Sequence, residues 1–123
     1  MLQLAPDESI DVQGTIDGLN AGLVGGQISL SGILRRRFLS QGTVCTVKAG
    51  GRLELSGGSV PLNNAVVHLE KGGQVVFLGF TSKTLPRHQR ASIRIDGTPC
   101  TNQDDVRVTD LPRGVMVTRS DSE

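Results

Sequence analysis

From residue 9 to residue 97 the chain returns five times to one short pattern: apolar, any residue, apolar, any residue, glycine. The copies are Ile10-Asp11-Val12-Gln13-Gly14, Ile28-Ser29-Leu30-Ser31-Gly32, Leu53-Glu54-Leu55-Ser56-Gly57, Val75-Val76-Phe77-Leu78-Gly79 and Ile93-Arg94-Ile95-Asp96-Gly97. Apolar residues at every second position predict β-strands with one face turned inward. The closing glycines recur at steps of 18, 25, 22 and 18 residues and predict tight corners. Glycine pairs precede the three middle strands, at Gly25-Gly26, Gly50-Gly51 and Gly72-Gly73. Two copies match further: TVCTVKAGGRLELSG (43–57) lies on AVVHLEKGGQVVFLG (65–79) without a gap, setting Cys45 and Val47 opposite Val67 and Leu69.

Repetition at this spacing predicts an all-β fold, a short parallel β-solenoid of about five coils, because one coil cannot bury its apolar face alone but stacked coils share a core. The apolar pairs Ile10/Val12, Ile28/Leu30, Leu53/Leu55, Val75/Phe77 and Ile93/Ile95 then stack as two internal columns. An antiparallel β-sandwich or jelly roll is the alternative, since it also strings short strands between turn signals. No long segment keeps a helical apolar period. Residues 1–8 read as an N-terminal arm or cap, 9–97 as the repeat domain, 98–118 as a C-terminal hairpin or cap, and 119–123 as a mobile tail. The hairpin is drawn from Val106-Arg107-Val108 and Val115-Met116-Val117 about the turn TDLPRG.

One copy breaks the polar exterior. Its outward positions are Val76 and Leu78, where the others carry Asp11, Ser29, Glu54, Arg94 and Gln13, Ser31, Ser56, Asp96. With Phe80 following, the reading is a protein–protein interface at Val76, Leu78 and Phe80, although the segment TSKTLPRHQR (81–90) could instead pack over that stripe.

Composition narrows the function classes. A chain of 123 residues is one domain. Three Phe and no Trp or Tyr argue against a large small-molecule site, so no small-molecule substrate is expected. The 13 Lys and Arg against 12 Asp and Glu, with few stacking aromatics, point away from nucleic acid, and Arg35-Arg36-Arg37 reads as an exposed basic loop. No apolar run approaches the ~20 residues of a membrane span. MLQLAPDES lacks the features of a signal peptide. Cys45 and Cys100 then read as thiols packed as small hydrophobes rather than as a disulfide.

Candidate chemistry is sparse. The carboxylates are scattered; Glu54 and Asp11 share an outward column two copies apart, and Asp104-Asp105 reads as a solvated turn. His68, between Val67 and Leu69, should point outward, and His88 sits in the basic stretch PRHQR. No catalytic residue, metal site or cofactor is assigned, and the chain is expected not to be an enzyme.

The glycine-pair and alternating-strand coils over residues 9–97 resemble the right-handed parallel β-helix superfamily, whose members include pectate-lyase-like enzymes, phage tailspikes, capsid-associated proteins and bacterial surface proteins. IDVQGTIDG (10–18) is also similar to bactofilins, small cytoskeletal β-helices that polymerise end to end. By analogy with the virion members, the expectation is a structural protein of a viral (phage) particle. It would be a capsid-decorating (cement) or tail-associated protein, a homo-oligomer that clamps coat or like subunits, located in the virion. The alternatives are a bactofilin-like, self-polymerising cytoplasmic protein and, disfavoured, a polysaccharide-acting enzyme.

Overall fold

A computed structural model describes residues 2–5, 7–58, 60–99 and 106–121. Its strands are β1 (Leu2–Gln3), β2 (Ser9–Val12), β3 (Thr15–Val24), β4 (Gln27–Leu30), β5 (Ile33–Ser40), β6 (Val44–Val47), β7 (Arg52–Leu55), β8 (Leu62–Asn63), β9 (Val66–Leu69) and β10 (Gln74–Leu78). A short helix, α1 (Arg87–Ala91), precedes β11 (Ile93–Ile95), β12 (Thr98–Pro99), β13 (Val106–Leu111) and β14 (Gly114–Arg119). The chain is 56% strand and 5% helix, and its stacked parallel coils form a β-solenoid of about three turns.

The coils wind between two sheets. One runs in the order β2-β4-β6-β9-β11-β12 and the other in the order β1-β3-β5-β7-β10-β14-β13, with β8 beside β5. Strands β2 to β11 pair in parallel within each sheet. This excludes the sandwich alternative. At the C-terminal end the direction reverses: β14 lies antiparallel on β10, and β13 antiparallel on β14, as the hairpin reading expects.

The five sequence copies do not form one stack. Copies one, two and five lie on the first sheet as β2, β4 and β11, whereas copies three and four lie on the second as β7 and β10. The five copies therefore do not count five coils. The first-sheet column is completed by the segments that the 43–57 and 65–79 alignment had matched, giving Ile10–Ile28–Cys45–Val67–Ile93 in register. The facing column is Ile16–Leu34–Leu53–Val75–Val117. Period-2 alternation looks the same on either sheet, so the pattern finds strands without saying which wall each belongs to.

A third, shorter wall forms where the far half of β3 pairs with the far half of β5: Leu23 meets Leu39, and Leu39 meets Leu62. All three are buried, and together with the two main columns they make one continuous apolar core. The N-terminal residues join this wall rather than forming a free arm, since β1 pairs with the end of β3 and Leu4 is buried. Of the mobile-tail reading, Arg119 lies in β14 and pairs with Asp121, while residues 122–123 fall outside the described residues.

The glycine pairs serve the corners in two ways. Gly50 has φ of 83°, which L side chains rarely adopt, and a Cβ on Gly51 would lie 2.3 Å from the carbonyl oxygen of Leu30 in the coil beneath. One glycine permits the turn and the next permits the stacking.

Candidate contact surfaces

Three surfaces stand out. The first is the outer face of the β3-β5-β7-β10 sheet, where one column runs Asp17, Arg35, Glu54, Val76, Met116. Arg35 bridges Asp17 at 3.3 Å and Glu54 at 3.0 Å, and Arg52 reaches Glu54 at 3.4 Å. Its hydrogen bond to Glu54, more than any other contact, raises the Arg35 pKa above the ordinary guanidinium value. Arg35-Arg36-Arg37 is therefore strand, not loop, and its members divide by alternation. Arg35 joins the charge ladder, Arg37 is exposed, and Arg36 turns inward and is buried, donating to the Gly22 carbonyl at 2.6 Å. Gly18 makes room for it, since a Cβ there would meet the Arg36 guanidinium. Desolvation lowers the Arg36 pKa.

The ladder gives way to a shallow hollow lined by Val76, Leu78, Leu111 and Pro112 and framed by Arg52, Glu54 and Arg113. Val76 and Leu78 thus come together, but Val76 has no exposed surface and Leu78 is half-buried. Phe80 separates from them. It packs against the core, edge-to-face on Phe77 with ring centroids 6.4 Å apart. The apolar outward stripe is closed largely by the chain itself, with Leu111 and Pro112 of the β13–β14 hairpin forming its rim.

The second surface is the N-terminal end of the solenoid. Strands β2 and the first half of β3 are the last in their sheets, and residues 7–9, 11 and 13–17 are exposed. Ile16 is 41% exposed, and with Ile10, Val12, Ile28 and Leu34 it lines a hollow that opens into the core. At the opposite end β12 and β13 are the outermost strands, and beneath them Ile93, Val115 and Val117 have no exposure, while Val108 of β13 is half-buried. One end is open and the other is closed.

The third feature is an uneven spread of charge along the axis. Residues 1–34 hold Asp7, Glu8, Asp11 and Asp17 and no Lys or Arg, while residues 81–95 hold Lys83, Arg87, Arg90 and Arg94 and no acid. In a solenoid, position in sequence becomes position along the axis. The balanced total thus conceals an acidic open end and a basic middle, since residues 35–95 hold ten Lys and Arg against Glu54 and Glu70, while residues 96–123 return to three Arg against six acids. Totals hide this; charge counted by segment displays it.

The groups read for chemistry do not converge. Asp11 lies on the outside of one sheet and Glu54 on the outside of the other, so they share no column. His68 points outward beside Thr46 and Arg94, and His88 is exposed on α1. Among the described residues no three His, Cys, Asp or Glu gather as a metal would require. Cys45 is a free thiol in the interior column, its pKa pushed up to about 12 by burial, which makes it a packing group rather than a nucleophile. Cys100, Asp104 and Asp105 lie outside the described residues. Comparison with protein-family models, with curated proteins and with solved structures finds no match.

Proposed function

We propose that this chain is a non-enzymatic structural protein that acts as a rigid solenoid docked against other protein subunits. Its most concrete form is a component of a viral (phage) particle, decorating or clamping coat subunits. The observation that carries this reading is the contrast between the ends. The first coil offers apolar side chains beside unpaired strand edge, the combination that natural sheets cover or pair. The last coil is covered by an antiparallel hairpin laid on β10, and Val75, Phe77, Val115 and Val117 have no exposure there. Such a molecule attaches by one end and presents the other.

A second reading, end-to-end self-polymerisation, draws its support from the outermost strands at both ends, β2 at one and β12 and β13 at the other. Electron microscopy of the purified chain, alone and mixed with assembled coat-protein shells, separates the two. The docking reading expects discrete particles alone and regular extra density on shells. Filaments from the chain alone would favour the second reading, and neither filaments nor bound shells would remove support from both.

A further inference from the structure

We propose that the open edge of β2 receives an extended strand, alternating aliphatic and basic residues, donated by a partner subunit; this deepens the docking reading and rests on it. Four observations meet at that edge. At the two ends of β2 the carbonyls of Glu8 and Val12 accept hydrogen bonds from the N–H groups of Gln27 and Ser31, which begin and follow β4. By the two-residue period of a strand, Ile10 and Val12 face β4 with their backbone groups, while Ser9 and Asp11 aim theirs at the open side. Addition of a strand there would satisfy both residues by main-chain hydrogen bonds.

The side chains then select the sequence. Ile10 is only part-buried and Ile16 is exposed, so an incoming aliphatic residue on the inward face extends the column that starts at Ile10 and packs over the hollow that Ile10 and Ile16 share. On the outward face it meets Asp11, with Asp7 and Glu8 exposed just ahead of the strand, and no Lys or Arg occurs before Arg35. Among the described residues Asp11 accepts from the amide of Gln13 at 3.2 Å and has no cationic partner. A donor strand with basic outward residues is attracted, and an acidic one is repelled. The charge also disfavours two copies meeting through this same end.

The test uses the whole chain and a fluorescent RVKVRV peptide, with EVDVEV as its acidic counterpart, read by anisotropy. The Asp11→Pro variant removes an N–H that β4 does not use and blocks a strand from adding at that edge. Circular dichroism and the melting transition establish that it folds, and Asp11→Lys provides a second variant that keeps the backbone donor. The basic peptide should bind the native chain and weaken at least tenfold on going from about 0.05 M to about 0.5 M salt. Binding should fall at least tenfold in Asp11→Pro and clearly in Asp11→Lys. Equal binding of the acidic peptide, or binding unchanged in Asp11→Pro, would overturn the inference. Self-association of the native chain that Asp11→Pro abolishes would also overturn it, by assigning the edge to a second copy. Shell decoration that survives without peptide binding would sink this inference and leave the docking reading standing.

Discussion

The side-chain amide of Gln89 pairs with the backbone of Leu62 at both of its ends. Leu62 N–H donates to Gln89 Oε1 at 2.7 Å, and Gln89 Nε2 donates to the Leu62 carbonyl at 2.9 Å, with Gln89 fully buried. The third wall of the solenoid ends at β8, which no further strand covers among the described residues. One glutamine on α1 thus stands in for the missing strand and closes that wall. Without it, a buried N–H and a buried C=O would lack partners.

Replacing this amide with an apolar group of similar size therefore isolates its hydrogen bonds. Gln89→Leu should cost about 2–4 kcal/mol, given that each buried backbone group left unsatisfied costs roughly 1–3 kcal/mol. Chemical denaturation would measure it. A loss below about 0.5 kcal/mol, within the range of ordinary surface changes, would show that water replaces the amide.

The open and closed ends predict a gradient of core sensitivity. Leu53 is fully buried in the middle of the column that Ile16, 41% exposed, begins. Leu53→Ala should cost about 2–5 kcal/mol and Ile16→Ala less than half as much. Equal losses in thermal or denaturant unfolding would mean that the first coil is covered.

Glycines should divide by stacking. Gly51 sits against the Leu30 carbonyl, whereas a Cβ on Gly14 would meet nothing within 4 Å. Gly51→Ala should lower the melting temperature sharply. Gly14→Ala should leave it unchanged or raise stability by about 0.4–1 kcal/mol through the unfolded chain. The reverse ranking would contradict the coil-on-coil contact.

A pH effect should appear in one loop. The Asp110 carboxylate accepts from Ser82 Oγ and Ser82 N–H, each at 2.7 Å, and these bonds hold its pKa below the ordinary carboxylate value. A depressed folded pKa stabilises above the unfolded value, near about 4, and that contribution disappears as pH falls through the folded value. The Ser82 amide resonance should therefore shift, and its exchange quicken, only below pH about 4. A transition centred above pH about 5 would show that the carboxylate is not held this way.

Much of this architecture is legible in the sequence. Alternation and paired glycines mark the strands and corners, and the ungapped match of 43–57 with 65–79 reproduces the observed pairing of Cys45 with Val67 and Leu53 with Val75. What the pattern could not resolve is the wall to which each strand belongs. The actual first-sheet steps, Ile10 to Ile28 to Cys45 to Val67 to Ile93, are 18, 17, 22 and 26 residues, lengthening where loops and then α1 are inserted. Three consecutive arginines read as a loop because charge suggests solvent, yet Arg36 is inward in a strand, lodged against Gly18, which leaves it space. Val76 read as exposed because alternation assigns a direction but says nothing of what lies over it. The acidic end was written plainly in residues 1–34, though only a segment-by-segment count of charge brings it out.

Amide hydrogen exchange along β2, followed residue by residue by NMR, tests the open first coil most directly. The account predicts protected amides at Ile10 and Val12, which face β4, alternating with fast-exchanging ones at Ser9 and Asp11. Uniform protection across all four residues, in the chain free of any partner, would contradict it.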